Sequence, residues 1–372
     1  MPLHEPLNAG QGKRRALSAS ISNPNPFNIE SKNSESKQAF RRGKRMFALN
    51  WRVESKFRQR LSRNAGGRFF IVGLQLTRKV KQAMNSIQNQ TQNLNGLTLV
   101  LGGTGKTGRR IAAALEAKGK PTRIGSRSAT PAFDWHHAVG WDACLKDVEA
   151  VYINYAPDLA MPGAADAVQA FVDQAKRYGI QRLVLLSGRG EAEAQACERI
   201  VQESGMDWTI VRASWFNQNF SEGAFLDMVM AGQITLPAGD IPEPFVDVDD
   251  IAEVAVAALT EPGHAGAVYE VTGPRLMTFA DIATELSNAT GREIIYVPVP
   301  HEAFVAGVKE SGAPKEVVWM LDYLFTTVLD GRNAHLTDGI QRALGRPPKD
   351  FTEYAKEVAA TGLYGSPIAD RH

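Results

Sequence analysis

Cysteine is nearly absent: the 372 residues hold two, Cys144 and Cys197. Two thiols cannot build a disulfide framework, and neither has the Cys/His spacing of a zinc site, so no metal is expected. Both read as reduced, structural thiols of a cytosolic-type protein. Any apolar run approaching the ~20 residues of a membrane helix is also missing; the stretch Phe69–Leu74 is far too short. No internal repeat is visible. Acid is scarce in one place: residues 1–95 carry 18 Lys or Arg against 4 Asp or Glu, and the remainder carries 24 against 36. The total of +2 therefore joins two different kinds of polypeptide.

The basic segment is rich in Arg, Asn, Gln and Ser and shows no sustained apolar periodicity. It cannot bury enough apolar surface to order itself, so residues 1–95 are expected to form a disordered basic extension. An organelle transit peptide fits an Arg- and Ser-rich, acid-poor N-terminus. A basic arm for nucleic acid fits the charge. The reading adopted is an unstructured extension or the product of an upstream start, with Met84 opening the folded chain. The acidic remainder suggests no nucleic-acid and no membrane partner, and the expected compartment is the cytoplasm, with targeting by the extension left open.

What is present begins at Leu97. The uncharged, β-prone run Leu97–Leu101 breaks into Gly102-Gly103-Thr104-Gly105-Lys106-Thr107-Gly108 and then into a helical pattern carried by Ile111, Ala112 and Leu115. Gly103, Gly105 and Gly108 satisfy G-x-G-x-x-G in the strand–turn–helix context that a dinucleotide site requires. The chain must turn tightly, its backbone must approach a pyrophosphate, and the positive end of the helix must face that anion. Gly105-Lys106-Thr107 also reads as the end of a nucleoside-triphosphate loop, but that motif needs a glycine where Val100 stands.

From Leu97 onward strand and helix alternate. Strands are expected at Leu97–Gly102, Pro121–Ser126, Ala150–Tyr155, Arg182–Ser187 and Trp208–Arg212, and helices at Arg109–Lys118, Gly163–Tyr178 and Glu191–Ser204. Repeated β–α–β units predict an α/β, doubly wound parallel-sheet Rossmann fold over 96–362, followed by a short tail, 363–372. A small C-terminal α/β substrate lobe is expected from about residue 213. There, Pro237–Pro244 reads as a turn-rich loop. Asp247, Asp249 and Asp250 read as the acidic cap of a helix at Ile251–Leu259 rather than a metal site. A last strand pair, Ala267–Val271 and Glu293–Val297, brackets a helix at Phe279–Thr290, and helices at Pro314–Leu329 and Phe351–Ala360 complete the lobe.

The end of the second strand decides between dinucleotides. An Asp or Glu there would bind the ribose 2′-hydroxyl of NAD. The chain instead reads Gly125-Ser126-Arg127-Ser128, with no acid until Asp134. A guanidinium flanked by hydroxyls suits a 2′-phosphate, so NADP(H) is the expected cofactor. The cofactor residues are then Gly102, Gly103, Thr104, Gly105, Lys106, Thr107 and Gly108 of the loop, with Ser126, Arg127, Asn154 and Ser187.

Gly102–Gly108, Gly125–Ser128, Phe133-Asp134-Trp135, Trp215-Phe216-Asn217-Gln218-Asn219-Phe220-Ser221, and Gly345-Arg346-Pro347-Pro348 with Phe351 together resemble the NmrA-like, atypical short-chain dehydrogenase/reductase family. The resemblance covers about 96–362. Within the family the chain is similar to the branch of festuclavine synthase and agroclavine dehydrogenase in ergot alkaloid biosynthesis, and at least as similar to bacterial NAD(P)H-binding proteins of unassigned substrate. It implies an NADPH-dependent reductase or, in some members, a dinucleotide-sensing regulator without turnover. Short-chain dehydrogenases commonly use Tyr-x-x-x-Lys, in which the Lys lowers the Tyr pKa. After Arg182–Ser187 this chain reads Gly188-Arg189-Gly190-Glu191-Ala192-Glu193-Ala194-Gln195-Ala196-Cys197-Glu198, and the pair is missing.

An electrophile such as an iminium, quinone or enone needs chiefly an oriented nicotinamide and a dry pocket. The pocket is expected at the carboxyl ends of the strands, from Tyr155, Trp215, Phe216 and Asn217, with Ser187-Gly188-Arg189 beside them. Tyr155 is the candidate proton donor, or else a wall of the nicotinamide site. Trp319, Met320, Tyr323 and Phe325 lie at a spacing that suits a substrate lobe or plain core. The function expected is hydride transfer from NADPH to a small or medium hydrophobic electrophile; the alternative is an NADP(H)-binding redox sensor that acts through a partner protein.

Overall fold

Short apolar strands that alternate their side chains between two faces need a helix layer on each face. The structure, a computed structural model that describes residues 96–365, supplies both. The expected basic extension and the last part of the tail lie outside the described residues. The strands are β1 (Leu97–Leu101), β2 (Thr122–Gly125), β3 (Val148–Ile153), β4 (Arg182–Gly188), β5 (Asp207–Ala213), β6 (Gln233–Leu236), β7 (Ala267–Val271) and β8 (Ile295–Pro298). Six form one sheet in the order β2-β1-β3-β4-β5-β7, with every pairing parallel. The expected parallel Rossmann sheet is borne out.

Helices α1 (Lys106–Ala117), α2 (Trp141–Leu145), α3 (Ala164–Arg177) and α4 (Ala192–Gln202) fall within the β–α alternation. Beyond it come α5 (Leu226–Met230), α6 (Val248–Thr260), α7 (Phe279–Thr290), α8 (His301–Glu310), α9 (Lys315–Tyr323), α10 (Gly339–Leu344) and α11 (Phe351–Ala360). The two faces of the sheet can be read residue by residue. Leu99, Leu101, Val151, Ile153, Leu183, Leu185 and Ile210 pack under α2, α3 and α4. Their neighbours Val100, Tyr152, Val184 and Val211 pack under α1, α6 and α10. Both cysteines are free and buried on the first side.

Four-residue β6 pairs in parallel with β8 in a separate two-stranded sheet. This corrects the expected pairing of Ala267–Val271 with the strand near Glu293–Val297, because β7 closes the edge of the main sheet against β5. The lobe is also discontinuous. Its own core joins Phe220, Phe225, Phe245, Phe279, Phe325 and Phe351, while α6, β7 and α10 return to the main sheet. The Asp cluster is indeed a cap: Asp247 accepts from the Asp249 N–H at 2.8 Å and opens α6. Among the described residues no metal-binding acid or thiol cluster occurs, and no helix is long and apolar enough to cross a membrane.

Candidate functional site

The chain leaves β1 for β2 on one side and comes back past β1 to β3, so a crevice must open at the carboxyl ends of β1 and β3. Gly102 ends β1 at φ +64°, and a Cβ there would lie 2.7 Å from Asn154 Nδ2 at the end of β3. Only glycine takes that backbone conformation without strain and lets the Asn154 side chain cover the turn. A Cβ on Gly108 would lie 2.2 Å from the Gly102 carbonyl oxygen, so the helix can approach the strand this closely only at a glycine. The N-cap of α1, Gly105, carries no side-chain cap, which leaves the positive end of a 12-residue helix open to an anion. This cradle fits a dinucleotide pyrophosphate.

Within the loop, Thr104 is exposed. Lys106 is half-buried and donates to Asn219 Oδ1 at 3.1 Å. Burial lowers its pKa and the nearby Glu222 carboxylate partly restores it. The buried Thr107 hydroxyl accepts the Tyr152 hydroxyl at 2.9 Å, which ties α1 to β3 instead of facing the crevice. After β2, the hydroxyls of Ser126 and Ser128 meet at 3.3 Å. Arg127 is exposed beside them, and Asp134 is engaged by His136 and His137.

A cavity of about 350 Å³ continues from Lys106 and Asn154 along the ends of β3, β4 and β5. Tyr155, Trp215 and Phe216 line it. Asn217 does not: its side chain is fully buried, its amide atoms find no partner, and Asn219 takes the lining position. Tyr155 packs on Trp135 with ring centroids 5.0 Å apart. Its pKa is raised by burial first and by Cys197 second, so the phenol is a weaker acid than usual. Helix α9 and the π-helical turn Leu324–Val328 contribute Met320, Leu321, Leu324 and Val328 to the lining. Phe325 belongs to the lobe core, and Trp319 is partly exposed and stacked on Tyr323 at 5.3 Å.

The polar wall is a charge network. The Ser187 hydroxyl donates to Glu198 Oε1 at 2.6 Å, and Arg212 holds Glu198 at 2.5 Å and Glu270 at 2.6 Å. Buried Arg189 donates to Ser214 Oγ and reaches His335 Nε2, both at 2.9 Å, which anchors the end of β4 to the Asn333–His335 loop. Beyond it stand two cavity-lining acids that pattern reading missed, Asp158 and Glu191. The two carboxyls line the same cavity and act on each other electrostatically. Burial first, and then Asp158, push the Glu191 carboxyl up to about 9, and burial raises Asp158 too. The available signal was an acid placed a few residues beyond each of two neighbouring strands, at Tyr155-Ala156-Pro157-Asp158 and Gly188-Arg189-Gly190-Glu191.

Residues 102–262 match the family model described as NAD(P)H-binding. The chain is 31% identical over 288 residues to the NAD(P)H azoreductase of Xenophilus azovorans, covering 71% of this chain and 98% of that one. It is 30% identical over 289 residues to festuclavine synthase II of Penicillium roqueforti, covering 70% and 99%. The solved structure of NmrA, a negative transcriptional regulator, in complex with NAD has the same fold at a TM-score of 0.55 and 16% identity, over 72% of this chain and 97% of that one.

Proposed function

Because the chain belongs to the NAD(P)H-binding family, we propose that it is an NADPH-dependent reductase of a small or medium hydrophobic electrophile of the iminium, quinone or enone type. The family resemblance drawn from the glycine loop and the Trp215–Ser221 segment is thereby borne out. The observation that carries the proposal is the cavity of about 350 Å³. It begins at the glycine cradle, has apolar walls from Tyr155, Leu159, Trp215, Phe225, Met320 and Leu324, and is of a size that holds a ring system.

In this reading the bound dinucleotide supplies a hydride. The cradle from Gly102 to Gly108 holds the pyrophosphate against the start of α1, with Lys106 beside it. Asn154 and Tyr155 flank the nicotinamide end, and Ser187 takes a place there with its hydroxyl directed to Glu198. Arg127, free of any acid partner among the described residues, with Ser126 alongside, takes the 2′-phosphate. The aromatic and aliphatic walls orient the acceptor and exclude water, which suits an acceptor that is already electrophilic. The missing Tyr-x-x-x-Lys pair favours such acceptors over simple ketones.

The same missing pair, together with the fold shared with the regulator NmrA, motivates a second reading, an NADP(H) sensor without turnover. One experiment separates the two. The purified chain is titrated with NADPH by fluorescence and then assayed against quinones, enones and cyclic iminium ions by loss of reduced-nicotinamide absorbance. Turnover of any class supports the reductase; tight binding with no turnover on any of them overturns it in favour of the sensor. In the same titrations Arg127→Glu is expected to weaken NADPH about 10-fold or more while sparing NADH, since it replaces a phosphate-pairing cation with an anion. Equal weakening of both would remove the 2′-phosphate role.

A further inference from the structure

Asp158 follows β3 and Glu191 follows β4, and the parallel neighbours carry both acids to the same wall of the cavity. Glu191 is 5% exposed, and its carboxyl oxygens lie where a Cβ on Gly188 would be, 2.2 and 2.5 Å away. Gly188 thus admits the carboxyl to the very end of β4, the edge at which the acceptor sits. Two carboxyls brought to one wall of a cavity, one of them buried, hold a proton between them in preference to ionising together, because adjacent carboxylates repel and have only acceptors to offer each other. The charges that Glu191 feels from Asp158, Glu193 and Glu198 are all negative and keep that proton in place. Glu193 is itself held by the Tyr323 hydroxyl at 2.6 Å, and Arg332 spends a donor on the Gly190 carbonyl at 3.0 Å.

Resting on the reductase reading, we infer that the Asp158–Glu191 pair is the proton donor of the reaction, delivering its shared proton to the heteroatom of an acceptor that needs one. For an enone, hydride adds to the β-carbon and the C=C electron pair moves through the conjugated system to oxygen. The carboxyl O–H breaks as the new O–H forms, and the enol relaxes to the saturated ketone. The acceptor gains two electrons, the reduced dinucleotide loses them, and water at the cavity mouth returns a proton to the pair. An iminium ion differs in kind: hydride adds to carbon, the C=N pair returns to nitrogen, and no proton is consumed. The pair takes the place that Tyr-x-x-x-Lys would fill, and Tyr155 remains a wall.

The test compares wild type with Glu191→Gln, which keeps size and polarity and removes the acid, using a cyclic enone and a cyclic N-alkyl iminium under single-turnover conditions. Expected are unchanged NADPH titrations, enone reduction slowed about 100-fold or more, and iminium reduction within about twofold of wild type. At about pH 8, above the titration of Glu243 near 7 and below that of Glu191 near 9, an infrared band of a buried protonated carboxyl, shifted in D2O, is expected in wild type and absent from Glu191→Gln. Asp158→Asn removes the charge that retains the proton, so the alkaline loss of enone activity should move to lower pH. An equal loss on both acceptors makes the pair structural and overturns the assignment, as does no loss on either or an unmoved pH profile in Asp158→Asn. A wild-type protein that binds NADPH and reduces neither acceptor overturns the reductase reading and this one with it.

Discussion

Gly105 and Gly108 stand three residues apart in one loop and serve different ends. A Cβ on Gly105 would meet only the Gly102 carbonyl oxygen, at 3.2 Å, and its backbone is extended, with φ −81° and ψ −179°. Any residue can adopt that conformation, so in the proposed reading a requirement for glycine there comes from the cofactor rather than from the fold. A Cβ on Gly108 would overlap backbone atoms of Gly102 and Gly103 at 2.2 to 2.8 Å, and the helix would have to move off the strand. Gly105→Val is therefore expected to abolish NADPH binding with little change in thermal stability. Gly108→Ala should weaken NADPH and also cost about 1–3 kcal/mol of stability, as overpacking does. Thermal melts and NADPH fluorescence titrations on both variants check this. Equal destabilisation by the two would contradict the division of roles.

At the scale of elements, α11 shows how one cap fastens the lobe. Asp350 accepts from the Thr352 N–H at 2.8 Å, and Arg275 grips the same carboxylate at 2.8 Å while reaching Glu285 of α7 at 2.8 Å. The Arg275 hydrogen bond holds the Asp350 carboxyl at about 2, against its ordinary 3.8. Arg275 is 40% exposed, so solvent screens the ion pair and the cap sets the scale. Asp350→Ala should lose about 1–2 kcal/mol at neutral pH. A carboxyl whose folded pKa is depressed stabilises the fold above its unfolded pKa, and that contribution fades as pH falls from about 4 toward about 2. Urea titrations along that interval should show the two proteins converging; a constant gap would exclude the ionised cap. Elements of this local kind, such as the β–α alternation to Arg212 and the helix Phe351–Ala360, were legible in the sequence because each carries its own period and punctuation. The strand Gln233–Leu236 was not, since its four residues become a strand only through β8, which lies beyond α6, β7 and α7. The glycine loop was legible for the first reason. The Asp158–Glu191 pair was hidden for the second, because the adjacency of β3 and β4 creates it.

Across the whole molecule, the described acids respond to pH in opposite directions. Asp350 strengthens the fold as it ionises, whereas buried acids with raised pKa values weaken it. Glu243 is the clearest of these: it is fully buried, neither carboxyl oxygen has a hydrogen-bond partner, and burial pushes it up to about 7 although Arg189 pulls it back. A carboxyl whose folded pKa lies above its unfolded value favours the folded state below that unfolded value, near 4.5. The contribution is lost as pH rises through about 7, and Glu191 extends the loss toward about 9. The chain is therefore expected to be most stable in mildly acidic solution, between the acid loss at Asp350 and the alkaline loss at the buried pair and Glu243. Glu243→Gln removes one titration and keeps the shape. Its melting temperature relative to wild type should climb from about pH 4.5 and level off above about pH 7, the interval in which the unfolded carboxyl is ionised while the folded one still holds its proton. Parallel melting curves across that interval would mean that Glu243 is already ionised and paired in the folded state, and the alkaline slope would then belong to Asp158 and Glu191 alone.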